Sequence, residues 1–256
     1  MLIFIEASTI KLIAILSDFG QSEFLGIMKG IILQINPKTE IIDLCNTIAS
    51  GSIREGAWIL YNSFQFFPKG TIFLCVVDPG VGTKREPISI FTTNYSFVGP
   101  NNGLLFPAAS HDRIKTVREL EVPNEASSTF HGRDVFAPAA AWIASEKITA
   151  FKEFKGILKE LKFQHAQNEG EIIRIDHFGN AITTIKEFTP AFAFEIQIGS
   201  QRYTLDLNKT YEQGGDVPFL IVGSSGTLEI SIKGKSAAQY LNLRVGQKIT
   251  LNPLSD

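Results

Sequence analysis

The chain has 256 residues, 44% of them hydrophobic and 20% charged, with a formal net charge of −2. That is an ordinary globular composition, long enough for two modest domains that each bury a core. So small a charge exerts no long-range pull on nucleic acid or anionic lipid, and no apolar run approaches the ~18 residues of a membrane-spanning helix, so the expected partner is a small molecule rather than nucleic acid or membrane.

The first residues, MLIFIEASTIKL, contain Glu6 and lack a basic lead-in, which reads against a signal peptide. Leu12–Leu16 is a short apolar run closed by Ser17-Asp18-Phe19-Gly20, and Phe24–Ile35 follows with Leu25, Met28, Ile31 and Ile32 at helical spacing. Glu40–Leu44 reads as the next strand, Ile53–Phe67 as the next helix, and Thr71–Val77 as a continuous apolar strand entering the loop VVDPGVGTKR, Val76–Arg85. Ile88–Thr92 and Tyr95–Val98 continue the strands. Val135–Ser145 and Phe151–Phe163 read as helices, the second with Lys152, Lys155, Lys159 and Lys162 on a solvated face. Alternating strands and helices, with nearly continuous apolar strands, predict a mostly parallel sheet covered on both faces over residues 1–167. From Gln167-Asn168-Glu169-Gly170 onward the pattern changes. Glu171–Ile175, Phe192–Ile198, Arg202–Leu207, Phe219–Val222 and Thr227–Ile232 are short stretches separated by Gly, Asn, Asp and Pro, which predict a small all-β barrel or sandwich over 168–256. Cys45 and Cys75 sit in apolar, strand-like contexts. They are expected to be buried free thiols, compatible with a reducing cytoplasm.

In the loop after the Thr71–Val77 strand, Asp78 and Arg85 put a carboxylate and a guanidinium where ligands collect in open α/β sheets, at the carboxyl end of a strand. Pro79, Gly80 and Gly82 turn the chain and free backbone N–H groups. A β-turn with a surface ion pair fits the same residues. Ser128–Ala140, STFHGRDVFAPAA, places His131 in a Gly-containing turn before an Ala-rich helix. Asp18 has the two acceptor oxygens that a ribose cis-diol needs, or else caps the following helix. In Asp176-His177-Phe178-Gly179-Asn180 the Asn180 amide complements an adenine edge and Asp176 suits an ammonium, while an Asx turn explains the same residue types. Tyr211 and Phe178 are stacking faces or core aromatics. The loop Gly223-Ser224-Ser225-Gly226 suits a carboxylate or a plain hairpin, and Glu229, in the alternating stretch TLEIS, reads as solvent-facing. A dinucleotide fingerprint fails because Arg85 stands where its third glycine belongs, and there is no GxxxxGK[ST] or GxSxG motif. His111, His131, His165 and His177 lack metal-ligand spacing, so no metal is expected.

Taken in order, SDFG, VVDPGVGTKR, FVGPNNGLL, TFHGRDVFAPAAA, IDHFGN and SSGTLEI resemble the S-adenosyl-L-methionine (SAM) hydroxide adenosyltransferases, hydrolytic relatives of the fluorinase and chlorinase, from Asp18 to Glu229. The resemblance implies an N-terminal Rossmann-like α/β/α domain, a C-terminal β-barrel, and a homotrimer with active sites between subunits. It also implies hydrolysis of SAM to adenosine and L-methionine by water attacking the ribose C5′, with SAM as substrate and no cofactor. Asp78, Arg85 and His131 map onto the set that works on water, Asp18 onto ribose, Asn180 onto adenine, and Asp176 with Ser224 and Ser225 onto the methionine end. Tyr211 and Glu229 are carried as further substrate-binding candidates. Two positions depart from the pattern: His177 stands where an Arg is common, and Gly51 where relatives carry a bulky side chain. A halide in place of water would meet the charge of Asp78, a repulsion of about 4 kcal/mol at ~4 Å and an effective dielectric of ~20. Other readings are a non-catalytic adenosine or SAM sensor, a halide-using adenosyltransferase, and a structural oligomer whose loops are only turns.

Overall fold

The computed structural model describes residues 11–147, 151–163 and 166–254. The N-terminal stretch read against a signal peptide falls largely on residues 1–10, and His165 on another such position, so both lie outside the described residues. The chain divides into two compact units between Leu161 and Lys162.

In the first unit, β1 (Leu12–Ser17), β2 (Glu40–Cys45), β3 (Ile72–Val76), β4 (Pro87–Phe91), β5 (Ser96–Pro100), β6 (Thr116–Glu119) and β7 (Lys152–Glu153) form one sheet in the order β2-β1-β3-β5-β4-β6-β7. The pairs β2/β1, β1/β3 and β3/β5 are parallel, and β5/β4, β4/β6 and β6/β7 antiparallel. The expected parallel-rich α/β sheet is therefore present, with an antiparallel flank. β3 is buried at all five positions, as a central strand covered on both faces must be. On one face, Ile13, Ile15, Ile72, Leu74 and Val76 pack with Met28 and Ile32 of α1 (Glu23–Ile35) and the alanines of α4 (Ala137–Ala144). α2 (Ile53–Ser63) packs against α3 (Phe106–His111) and touches β1. A Cβ at Gly56 would lie 2.8 Å from Leu104, so α2 approaches closely only because that residue is glycine.

The second unit contains β8 (Glu169–Ile175), β9 (Ala181–Thr183), β10 (Ala193–Ile198), β11 (Gln201–Asn208), β12 (Phe219–Val222), β13 (Leu228–Ser231), the short helix α5 (Ala237–Tyr240) and β14 (Lys248–Pro253). The strands close into a barrel, β10-β11-β12-β13-β9-β8-β14, around Phe194, Ile196, Leu205, Leu220, Ile230 and Leu251.

The segment 151–163 is not a helix. Lys152 and Glu153 instead add to the sheet edge, paired with Glu119 and Arg118. The buried carboxamide of Asn101 then donates from Nδ2 to the Ile157 carbonyl at 3.0 Å and accepts the Lys159 N–H at 2.8 Å. Helical spacing was a coincidence of separate anchors: Phe151 packs on the core, Leu161 meets Gly103, and Ile157 is exposed. Gly156 in the middle adds about 1 kcal/mol against helix. The four lysines are exposed nonetheless. The helix expected over Ile53–Phe67 stops at Ser63 and finishes as a 3-10 turn, Phe64–Phe66. Cys75 is fully buried, which pushes its thiol far up, whereas Cys45 is only half-buried, beside Thr47.

Candidate active site

The strand order β2-β1-β3 makes the carboxyl ends of β1 and β3 a topological switch point: the chain leaves β1 toward one side of the sheet, and β3 lies on the other. Asp18 follows the last residue of β1, and Asp78 lies two residues beyond β3. Both line one cavity of about 250 Å³, together with Phe19, Gly51, Phe130 and His131. Asp18 does not cap α1; Ser22 occupies that position. Its Oδ2 instead accepts the Gly51 N–H at 2.7 Å, which ties the loop after β1 to the turn before α2. Gly51, at φ +71°, gives that part of the wall no side chain.

Asp78 and Arg85 are not a surface pair. Their side chains are 5% and 9% exposed, and the guanidinium grips the carboxylate with Nε 3.0 Å from each oxygen and Nη2 2.5 Å from Oδ2. Between them the loop makes two consecutive turns, Val81 N–H to the Asp78 carbonyl and Thr83 N–H to the Gly80 carbonyl, so six intervening residues bring the two side chains back together. Phe136 lies 5.1 Å from the guanidinium carbon, a cation–π contact that holds Arg85 from behind. The same Nη2 lies 2.7 Å from His131 Nδ1. Arg can only donate, so His131 accepts at Nδ1 and carries its proton on Nε2. Burial first and Arg85 second hold this imidazole below its ordinary value of 6.5, against the opposite pull of Asp78 and Asp134. The carboxylate is thus neutralised by its partner, and the repulsion expected to exclude a halide is largely cancelled by Arg85.

His131 sits at the mouth of a π-turn, Gly132–Phe136, that precedes α4, a helical irregularity of the kind that gathers at functional sites. A Cβ at Gly132 would be 3.1 Å from Met28 Sδ and from the Phe130 ring, so glycine lets this turn settle onto α1. Asp134, which sequence reasoning did not single out, accepts the Ser127 N–H at 2.8 Å and is paired with Arg133. It thereby fixes the 127–130 loop, which supplies Thr129 and Phe130 to the cavity. Phe130 packs edge-on against Phe19 and Phe24. Its local signal is an acid in the first turn of the helical segment after His131.

In the barrel, Asp176 Oδ1 accepts the N–H groups of Phe178 and Asn180 at 2.9 and 2.8 Å, and its Oδ2 accepts from the Asn180 side chain at 2.9 Å. The Asx turn is therefore real, and it places Asp176 and buried Asn180 as one unit. Glu229 is not solvent-facing. All four residues of β13 are buried, because a barrel strand covered on both faces has no outward polar side. Its Oε2 accepts from the Tyr211 hydroxyl at 2.9 Å. Burial raises Glu229, nearby Asp176 raises it further, and the Tyr211 bond opposes both; burial and Glu229 push Tyr211 up to about 12. Ser225 Oγ lies 3.0 Å from Thr227 Oγ1, Ser224 is exposed, and Phe178 and His177 stack edge-on at the surface. Among the described residues no three His, Cys, Asp or Glu side chains converge as a metal site.

Comparison with known proteins adds the following. The SAM hydroxide adenosyltransferase N-terminal domain model matches residues 13–154, and the corresponding C-terminal domain model residues 170–250. The chain is 31% identical to the (R)-S-adenosyl-L-methionine hydrolase of Thermus thermophilus, over 92% of this chain and 97% of the relative. It is 32% identical to the hydrolase of the same name from Methanocaldococcus jannaschii, over 94% and 95%. Among solved structures, an uncharacterized conserved protein from Thermotoga maritima superposes with a TM-score of 0.85 at 30% identity, covering 94% of this chain and all of that one.

Proposed function

The chain belongs to the SAM hydroxide adenosyltransferase family, and from that premise we propose that it hydrolyses SAM to adenosine and L-methionine at the cavity between the ends of β1 and β3. The observation that carries the reading is the buried Asp78–Arg85–His131 set: a carboxylate gripped bidentately, with an imidazole whose Nδ1 is already engaged, in a wall shared with Asp18.

The sulfonium makes the chemistry economical. Water oxygen bonds to the ribose C5′ as the C5′–S bond breaks, the electron pair goes to sulfur, and methionine departs as a neutral thioether that needs no acid. The enzyme's task is to align one water behind C5′ and accept the proton it sheds. Asp78 is the acceptor, fixed by Arg85, and His131 presents Nε2–H as a donor to the water or the sugar. Asp18 holds the ribose. On the barrel Asn180 and the face of Tyr211 take the adenine, and Asp176 with Ser224 and Ser225 takes the methionine end. SAM is the substrate, so no cofactor is invoked.

A cavity of about 250 Å³ is smaller than the ~300–1,000 Å³ that encloses a whole small ligand. A cavity of that size is suited to completion by a second subunit, and the family resemblance implies a homotrimer with the active sites between neighbouring subunits. No helix among the described residues is long and apolar enough to cross a membrane, and two free cysteines suit a cytoplasmic location. Water rather than halide as the nucleophile is supported by the names of the relatives at 31% and 32% identity. The test is incubation with the (R) and (S) forms of SAM separately, followed by chromatography. Equal amounts of adenosine and methionine are expected; binding without turnover would make the protein a sensor, and neither would leave a structural oligomer.

A further inference from the structure

We propose that the seam of the barrel between β11 and β12 is a docking site for an extended basic peptide, which adds to the free edge of β11 as a further strand.

The barrel closes there over very little backbone. β11 is paired with β10 along Gln201–Asp206, but with β12 only at Leu207 and Asn208. The Leu207 N–H goes to the Phe192 carbonyl, on the β10 side. Hydrogen-bonding direction alternates along a strand, so the even residues turn theirs the other way, and Arg202 and Thr204 present N–H and C=O where no strand of the described residues meets them. The sequence says why the ladder stops. Carried back two residues, the β11/β12 register sets Pro218 against Leu205, where an N–H would reach the Thr204 carbonyl; proline has none. The two strands therefore part before Leu220, and a groove of about 500 Å³ opens, lined by Thr204, Leu205, Asp206, Val217, Pro218 and Tyr240. Pro218 blunts its own strand and leaves the edge of β11 open.

An open edge beside an apolar wall is the arrangement that binds extended peptides: backbone bonds to the edge supply affinity, and alternate side chains fill the groove. Val217 and Tyr240, each 62% exposed, belong to that wall. Charge selects the partner. The side chains of Arg202, Thr204 and Asp206 share the outer face of β11, because Tyr203 and Leu205 pack on the barrel core. Arg202 is paired with Glu195 of β10 at 3.3 Å. Asp206 and Asp216 are both exposed and have no ion pair among the described residues, and Asp216 directly precedes Val217 of the wall. These carboxylates are the complement of a cationic side chain, not of an acidic one. A strand rises about 3.4 Å per residue, so the edge from Gln201 to Asp206 accommodates a peptide of about five residues.

The probe is the terminally capped peptide Val-Lys-Val-Lys-Val, with capped Val-Glu-Val-Glu-Val and an N-methylated form of the lysine peptide as controls. Binding to the intact protein is read by NMR titration, together with residue-resolved amide hydrogen exchange. In the free protein the amides of Arg202 and Thr204 are expected to exchange fast and those of Tyr203 and Leu205, bonded to β10, slowly. Millimolar lysine peptide is expected to slow Arg202 and Thr204 at least roughly tenfold and to bind roughly tenfold tighter than the glutamate peptide, the difference between an attractive and a repulsive cross-strand pair. Asp206→Lys reverses that preference; should it fail to fold, Asp206→Asn is expected to reduce it. The N-methylated peptide, which has lost its backbone donors, does not bind. No protection by any peptide, equal protection by both charges, or undiminished binding of the N-methylated form overturns the proposal. Slow exchange of Arg202 and Thr204 in the free protein overturns it as well: if independent of protein concentration, another segment of the chain covers the edge, and if it appears only as concentration rises, a second copy does.

Discussion

Gly82→Ala is the sharpest mechanical test of how the reacting set is assembled. Gly82 lies at φ +74° in the loop between Asp78 and Arg85, and a Cβ there would sit 2.3 Å from the backbone oxygen of Ser128, on the segment that leads to His131. Ordinary contact begins at 3.4 Å, and backbone cannot rotate away, so the two loops must separate by about 1 Å. Misplacement of that size costs on the order of a hundredfold in rate, and the left-handed φ adds roughly 1–2 kcal/mol of instability for an L side chain. Gly70 provides the control: at φ +89° with nothing within 4 Å of its ideal Cβ, Gly70→Ala carries the conformational strain without the collision. Thermal melting and single-turnover hydrolysis of SAM separate the two effects. Both variants are expected to melt lower, and only Gly82→Ala to lose about two orders of magnitude in rate. Gly82→Ala with a rate within threefold of wild type would refute the claim that this backbone approach sets the geometry of Asp78, Arg85 and His131.

Asp78→Asn keeps the shape of the carboxylate and removes its charge. Turnover is expected to fall at least a hundredfold while calorimetric adenosine binding persists, and near-wild-type turnover would remove Asp78 from the chemistry. Asn180→Ala releases both the Asp176 contact and the proposed adenine contact, so nucleoside affinity is expected to drop roughly tenfold; an unchanged dissociation constant excludes it from the site. The pH dependence follows from His131. Burial and Arg85 depress its protonation, so it is neutral above 6.5 and gains a proton on Nδ1, facing Arg85, only at lower pH. The acid limb of kcat/KM assigned to it is therefore expected below pH 6.5, and a His131-dependent limb above that value would contradict the Nδ1 acceptor role.

The strands of the α/β unit were legible because burial on both faces writes itself as continuous apolar runs, as in Ile72–Val76. The strand-end carboxylates were legible for a related reason, since only the end of a buried strand gives a Pro/Gly loop with Asp78 a place to face a ligand. Phe151–Phe163 misled because its apolar spacing matched a helix while the segment's backbone partners lay 56 to 58 residues away on Asn101, a contact no local pattern encodes. Glu229 misled for the opposite reason: alternation predicts exposure only when one face of a strand meets water, and β13 has no such face. Its partnership with Tyr211, 18 residues earlier, and the role of Gly223 as the space its carboxyl occupies are products of barrel closure. Short strands such as Ala181–Thr183 escaped because three residues carry no periodicity.

Hydrolysis of SAM in oxygen-18 water, with mass analysis of the adenosine formed, tests the central claim most directly. The account predicts one labelled oxygen, on the 5′-hydroxyl, and loss of that product in Asp78→Asn. Adenosine formed without label at that position, or formed as fast by the variant, would contradict the assignment of Asp78 as the residue that directs water onto C5′.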